Sequence, residues 1–422
     1  MATVDQVDTT PDEAAPARRF GGFGPTANIL LGYTFIKGLQ LSLYNLIFPL
    51  YAYSLGYDQA VIGQLNAIGA LTVLVVSVPL GMLADRYGRA RTLAISAMLL
   101  PLFLAGIGLS RSLPLLIATI VLQNGISTLY WSTTSALLVG AVPQEQRVRV
   151  FALNSFLLWS LGAFGSVLGG FVASTTARVL GVGANDTAPL RAAILVGAAV
   201  IFLGGLPLWR LREVPIAGED AGERARFRLA DLRHFVRLLI PDALQAFGAG
   251  AVFGFIPLFF ALRFGLPSGQ VGLIFALSGV LSGISVLFAP RLAGRFGDVR
   301  AVSGVQASAA LCMLLTVASP VLAGAVGAEA ARAALFTVIS AIYVPFAMGS
   351  VAPQWRGTLG GLYNVTYATG FSLGPLLSGW PQVHHGFGPA FAMAAAAMLL
   401  ASATMWLFFS RRAKPQPDQA PV

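Results

Sequence analysis

Apolar stretches separated by short polar or charged breaks occupy the chain from about residue 28 to residue 409. The uninterrupted runs fall at roughly 28–54, 60–84, 91–109, 114–141, 148–174, 190–209, 235–262, 270–292, 300–322, 332–351, 357–381 and 387–409. Most approach or exceed the ~20 residues that cross a bilayer as helix. The pattern therefore predicts an all-α integral membrane protein with twelve transmembrane helices. Residues 1–25 are polar, with Asp5, Asp8, Asp12 and Glu13, and lack the apolar core of a signal peptide, so a disordered tail is expected there.

Composition sharpens that class. The chain is 56% hydrophobic and only 10% charged, which is outside the range of soluble domains. Its net charge of +10 does not point to nucleic acid, because the basic residues are spread over short connections rather than gathered in one patch. With the N-terminus inside, the tails and even-numbered connections carry 21 of the 27 lysines and arginines. Arg111, Arg178, Arg191, Arg263 and Arg332 fall on the opposite side, leaving Lys37 as the one basic residue within a span. By the positive-inside rule both termini are expected to be cytoplasmic, in the inner (plasma) membrane. Cys312 is the single cysteine, and His234, His384 and His385 have no metal-ligand spacing, so no metal or cofactor is expected.

Between the second and third runs lies Gly81-Met82-Leu83-Ala84-Asp85-Arg86-Tyr87-Gly88-Arg89-Ala90-Arg91, a tight, strongly basic turn. Leu83 to Gly88 is echoed 209 residues later by Leu292-Ala293-Gly294-Arg295-Phe296-Gly297. The same offset relates Gly56 to Gly265, Gly63 to Gly272, Arg147 to Arg356, Gly165 to Gly374 and Gly170 to Gly379. One register thus runs through two halves of six spans each, the sequence mark of a parallel internal repeat. The expected organisation is a tail at 1–25, a six-helix bundle at 26–212, a charged cytoplasmic linker at 213–232, a second bundle at 233–410 and a tail at 411–422.

The 81–91 turn resembles the cytoplasmic loop signature of the major facilitator superfamily, Gly-x-Leu-x-Asp-Arg-x-Gly-Arg-x-Arg, at every fixed position. The resemblance spans about residues 26–410 and implies two pseudo-symmetric bundles rocking about a central substrate site, in a monomer. It also implies a gate built from Gly81, Asp85, Arg86, Gly88 and Arg89, with Asp85 meeting the start of the eleventh span near Arg356 and Gly357. The second copy has Gly294 where Asp85 stands, so that gate is expected to be asymmetric. The fifth span, with Gly165-Ser166-Val167-Leu168-Gly169-Gly170, is similar to an antiporter pattern of the same family but lacks its proline. Close helix packing by small residues is the plainer reading of those glycines.

Polar residues within the spans are the candidates for substrate and coupling chemistry. Tyr33, Lys37, Gln40 and Tyr44 share one helical face of the first span. Lys37 lies near the bilayer centre, where a charge costs at least about 2.5 kcal/mol and needs a partner or water. The fourth span contributes Asn124 and Trp131, the seventh Asp242 and Gln245, the tenth Tyr343, and the eleventh Asn364 and Tyr367. Asp242 reads as the one acid inside a span. Two placements fit it: a proton-carrying group that pairs with Lys37 in one state, or a wet residue in the first turn of a helix begun by Pro241.

These features predict a secondary transporter of small amphipathic organic solutes, working outward by alternating access and coupled to protons. A carrier for an organic anion or a sugar that uses Lys37 is the alternative. A receptor or enzyme that uses the fold without transport is a third, and no catalytic motif supports it.

Overall fold

The computed structural model describes residues 22–211, 213, 229–352 and 355–410. Most of the expected N-terminal tail, the tail at 411–422 and most of the 213–232 linker lie outside the described residues. Within them the long helical segments run in chain order as α1 (Pro25–Ser54), α2 (Gln59–Tyr87), α3 (Arg89–Leu109), α4 (Leu113–Ala141), α5 (Gln144–Leu180) and α6 (Thr187–Arg210). The second half follows as α7 (Leu229–Phe253, continued by Ile256–Phe264), α8 (Ser268–Phe296), α9 (Asp298–Ala318), α10 (Leu322–Gly349), α11 (Arg356–His385) and α12 (Gly388–Phe409). Ten of these are long and apolar enough to cross a membrane by composition. The other two, α1 and α11, are each 30 residues long and carry several of the polar side chains described below.

Helix boundaries follow from local chemistry. Pro25 opens α1 at a position where a missing N–H costs nothing, and the Asp58 carboxylate caps α2 by accepting from the Val61 N–H at 2.9 Å. The turn between α2 and α3 reverses direction at Gly88, with φ of 93°, and its repeat mate Gly297 reverses the α8–α9 turn with φ of 77°. That backbone conformation is open to glycine and strained for other residues, which explains why both copies of the loop keep it.

The repeat extends to packing. Gly165 of α5 sits against the backbone of Leu39 on α1, and its mate Gly374 of α11 sits against the backbone of Phe247 on α7. Between the halves, Gly170 meets the Ser268 carbonyl while Gly379 meets the Gln59 carbonyl, and Gly272 meets Ser166 while Gly63 meets Pro375. Each pair maps onto the other at the 209 offset. Lipid supplies no hydrophobic drive for helix association, so this close backbone approach carries much of it. The glycines of the fifth and eleventh spans therefore act as packing surfaces.

Two expectations are corrected. The tenth span begins at Leu322, ten residues before the expected start, and Arg332 is a buried residue of α10 rather than part of a loop. It pairs with Glu329 one turn earlier, Nε to Oε2 at 2.7 Å, so Asp242 is not the one acid within a span. Two charges that cancel at i, i+3 had read as a polar break. The seventh helix begins at Leu229, which makes Pro241 interior and leaves Asp242 only 1% exposed, so a wet first-turn placement does not hold.

Gly165→Ala and Gly374→Ala should each destabilise by about 1–3 kcal/mol through overpacking against backbone. Gly304→Ala, with nothing within 4 Å of an added Cβ, should not. Melting of the three variants in detergent checks this, and equal melting temperatures would contradict the packing account.

Candidate functional site: the interface between the halves

Side-chain hydrogen bonds cross between the two halves around the start of α8. The Ser166 hydroxyl donates to the Gly272 carbonyl at 2.9 Å, and the Ser268 hydroxyl donates to the Ala184 carbonyl at 3.1 Å. Asn185, in the α5–α6 loop, makes two bonds: its amide N–H donates to the Leu266 carbonyl at 2.9 Å, and its oxygen accepts from the Ser268 backbone N–H at 2.9 Å. An amide from one half thus caps a helix of the other, satisfying an otherwise orphaned N–H at the positive end of the helix dipole.

The opposite end carries the charged loop, and the expected gate is not engaged there. Asp85 binds Arg89 of its own loop at 2.7 Å, whereas Arg356 Nε donates to the Met348 carbonyl at 3.1 Å. The acid that meets a helix start in this loop is Glu213, accepting from the Ala90 and Arg91 N–H groups at 3.2 and 3.0 Å. Gly88 is the point where a side chain would collide with that carboxylate. Gly81 has open space around it, and Arg86 lies over the Tyr87 ring at 5.8 Å.

Between the two ends a cavity of about 140 Å³ opens at the interface. Tyr44, Phe48 and Asn124 line one side, and Gly250, Phe253 and Phe371 the other. Tyr44 and Phe48 stack at 5.0 Å. Asn124 lies against Gly69, its amide N–H donating to the Ile120 carbonyl at 3.0 Å.

On the first half Lys37 is 1% exposed, and its ammonium donates to Gln40 Oε1 at 2.9 Å and to the Ser127 hydroxyl at 3.0 Å. A turn earlier, Thr34 donates to Asn154 Oδ1 at 2.8 Å and accepts from the Tyr130 hydroxyl at 3.1 Å. Tyr130 packs edge-on against Trp131, which stacks on Trp159.

On the second half Asp242 is buried, and neither carboxylate oxygen has a partner in good hydrogen-bond geometry. Phenols surround it. Tyr363 comes nearest to bonding it, with Tyr343 and Tyr367 within electrostatic range. Tyr363, Tyr367 and Phe371 form a stacked column along α11 with centroid spacings of 6.2 and 6.0 Å. Tyr343 donates its hydroxyl to the Leu238 carbonyl, and Gln245 accepts from Gln306 at 3.0 Å. Asn364, next to Tyr363, is exposed.

The structure therefore gathers Lys37 with Gln40, and Asp242 with Tyr343 and Tyr367, as two separate clusters. It does not join Lys37 to Asp242. Sequence reading missed Thr34, Ser127, Tyr130, Asn154, Tyr363 and Asn185. Tyr363 had a signal, the four-residue spacing to Tyr367 and Phe371, while the others depend on which helices become neighbours.

Comparison with known proteins places these features in context. A family profile described as Major Facilitator Superfamily matches residues 30–375 and, in a second match, 243–422. A relative named multidrug resistance protein 1 from Bacillus subtilis (strain 168) is 24% identical over 366 residues, covering 84% of this chain and 89% of the relative. Among solved structures, a bacterial homolog of the human lysosomal transporter Spinster, inward-facing and unoccupied, aligns with a TM-score of 0.76 at 16% identity, over 94% of this chain and all of that one. The nucleoside transporter NupG aligns with a TM-score of 0.72 at 14% identity, over 92% of this chain and all of that one.

Removing the cap donated across the interface gives a direct test. Asn185→Ala should weaken closure at this end by about 1 kcal/mol, the typical worth of a helix cap, or roughly fivefold in the closed-to-open ratio. The rate at which a hydrophilic maleimide labels Ser174→Cys, in a Cys312→Ser background, should rise by that factor. An unchanged rate would show that Asn185 merely finishes its own loop.

Proposed function

Because the chain belongs to the major facilitator superfamily, and is accordingly a multi-pass membrane transporter rather than an enzyme, we propose that it moves small amphipathic organic solutes by alternating access. In this reading it sits as a monomer in the plasma membrane with both termini cytoplasmic, and expels its substrate in exchange for protons. The observation that carries the reading is the aromatic and amide-lined cavity between the halves, with a buried carboxylate, Asp242, two turns before Gly250 of its wall, that no cation among the described residues neutralises. Mostly apolar concave sites with a few fixed polar groups suit amphipathic ligands. The name of the Bacillus relative points the same way.

With basic loops inside, the end closed by Asn185 is the outer one and the charged-loop end opens to the cytoplasm. On reversal, Asp85 would exchange Arg89 for the N-terminus of α11, a contact worth about 0.3–1 kcal/mol and more when partly buried. Gly81, Arg86, Gly88 and Arg89 hold that loop in position. Asp242 is the coupling group: a carboxylate that is dry in one state and wetted in another can gain or lose its proton as access alternates. The phenols of Tyr343, Tyr363 and Tyr367 are the titratable groups that face it.

A second reading is favoured by Lys37, whose hydrogen-bond partners are both neutral. There the substrate is an organic anion or a sugar, held by Lys37, Gln40, Tyr44, Asn124 and Trp131.

In proteoliposomes with an imposed pH gradient, Asp242→Asn should abolish gradient-driven accumulation of a lipophilic dye while retaining substrate exchange at zero gradient. Full accumulation by the variant would remove Asp242 from the coupling role. Lys37→Gln should leave dye transport in place under the first reading and abolish transport of an anionic substrate under the second.

A further inference from the structure

The cavity between the halves has no charged side chain in its lining. Lys37 and Asp242 stand two turns along their helices from Tyr44 and Gly250 of its wall, roughly 10–12 Å at 1.5 Å per residue. Rings form its broad faces: Tyr44 stacks on Phe48 at 5.0 Å on the first half, and Phe253 packs against Phe371 at 6.0 Å on the second. Its volume of about 140 Å³ is close to the ~150 Å³ that encloses a single benzene ring.

The polar groups of the lining are three carboxamides, all on the first half: Asn45 of α1, Asn66 of α2 and Asn124 of α4. At the 209 offset their mates are Gly254, Phe275 and Ala333, none of them polar, while Tyr44 maps onto Phe253 and keeps its ring. The cavity is therefore aromatic on both sides and hydrogen-bonding on one. Two of the carboxamides are oriented by the fold. Asn124 spends its N–H on the Ile120 carbonyl at 3.0 Å, and the Asn66 nitrogen is buried against Gly254. Both therefore meet the cavity through their oxygens. Asn124 lies against Gly69, one turn along α2 from Asn66, so these two acceptors are neighbours. Asn45 makes no side-chain hydrogen bond among the described residues, and its amide can donate as well as accept.

We propose that this cavity seats an uncharged aromatic amide of single-ring size, either a small molecule or the amide-bearing end of a larger solute. The inference rests on the transport reading of the same cavity. The ligand ring lies between the aromatic faces, its N–H groups donate to the Asn66 and Asn124 oxygens, and its carbonyl accepts from the Asn45 amide. An anionic ligand brings acceptors to acceptors and a charge with no counter-charge. An ammonium ligand can donate, yet it is stripped of water with no carboxylate in the lining, and cation–π attraction from the rings is smaller than that penalty. A plain hydrocarbon fills the space and leaves the oxygens without donors. Because the amide edge rests on the first half and the ring also touches the second, occupancy is linked to how closely the halves approach.

The test uses four compounds built on one ring: benzamide (uncharged amide), benzoate (anion), benzylammonium (cation) and toluene (uncharged, without hydrogen bonds). Their affinities for the purified full chain in a maltoside detergent at neutral pH are read from ligand-dependent melting temperature. Benzamide should bind about tenfold or more tighter than either ion, and about fivefold or more tighter than toluene, the worth of one net hydrogen bond. Asn66→Leu and Asn124→Leu, which replace an oxygen-bearing side chain by an apolar one of similar size, should each weaken benzamide about fivefold and leave toluene unchanged. Equal or tighter binding of benzoate, benzylammonium or toluene, no shift with benzamide, or an undiminished benzamide advantage over toluene in both variants would overturn the proposal. Proton-driven dye accumulation by the unaltered chain alongside any of those results would leave the transport reading standing and remove only the amide, whereas its absence would remove both.

Discussion

Backbone meets backbone across the interface at glycine, and the remaining features of the site depend on that contact. Gly170 against Ser268 and Gly379 against Gln59 leave no room for a side chain, as do Gly272 against Ser166 and Gly63 against Pro375. These four contacts form two seams, α5 with α8 and α2 with α11, that are equivalent under the internal repeat. Seams of this kind are strong in lipid because dispersion and backbone polarity, rather than exclusion of water, drive association there. The Asn185 cap of α8 adds a directional bond to one seam.

Closure at that end fixes what lies beneath it. Lys37 and Asp242 are each about 1% exposed, at a depth where an uncompensated charge costs at least about 2.5 kcal/mol. The fold does not relieve that cost by pairing them, although it pairs Glu329 with Arg332 elsewhere. A state that keeps two opposite charges dry and apart is poised to respond to anything that neutralises them, whether proton, ligand or the approach of the two halves. In the proposed transport cycle these two side chains are where the free-energy difference between states is placed.

Much of this was legible in the sequence, and the parts that were not have identifiable reasons. The all-helical membrane class and the repeat register were readable because apolar runs and glycine positions are local. Gly88 and Gly297, marked as loop mates by their offset, both take the positive φ that requires glycine. The start of α10 was misplaced because Glu329 and Arg332 interrupt an apolar run while cancelling each other in the fold. Asp242 was identified but could not be placed, because Pro241 reads equally as a helix start or as an interior proline. Lys37, Gln40 and Tyr44 were readable as one face. Their neighbours Ser127, Asn154 and Tyr130 were not, since no helical periodicity says which span packs beside which. Asn185 carried no signal, being one polar residue in a polar loop.

The central claim is that the two ends of the interface open in opposition. Distances between paired spin labels test it most directly, in a Cys312→Ser background. One pair, at Val179 and Leu262, spans the end closed by Asn185, and the other, at Val148 and Leu287, spans the charged-loop end; all four side chains are exposed. As pH is moved from 5 to 8, the account predicts two populations whose shifts are opposite in sign: where the first pair lengthens, the second shortens. A single population at both ends across the range, or distances that lengthen together, would contradict it.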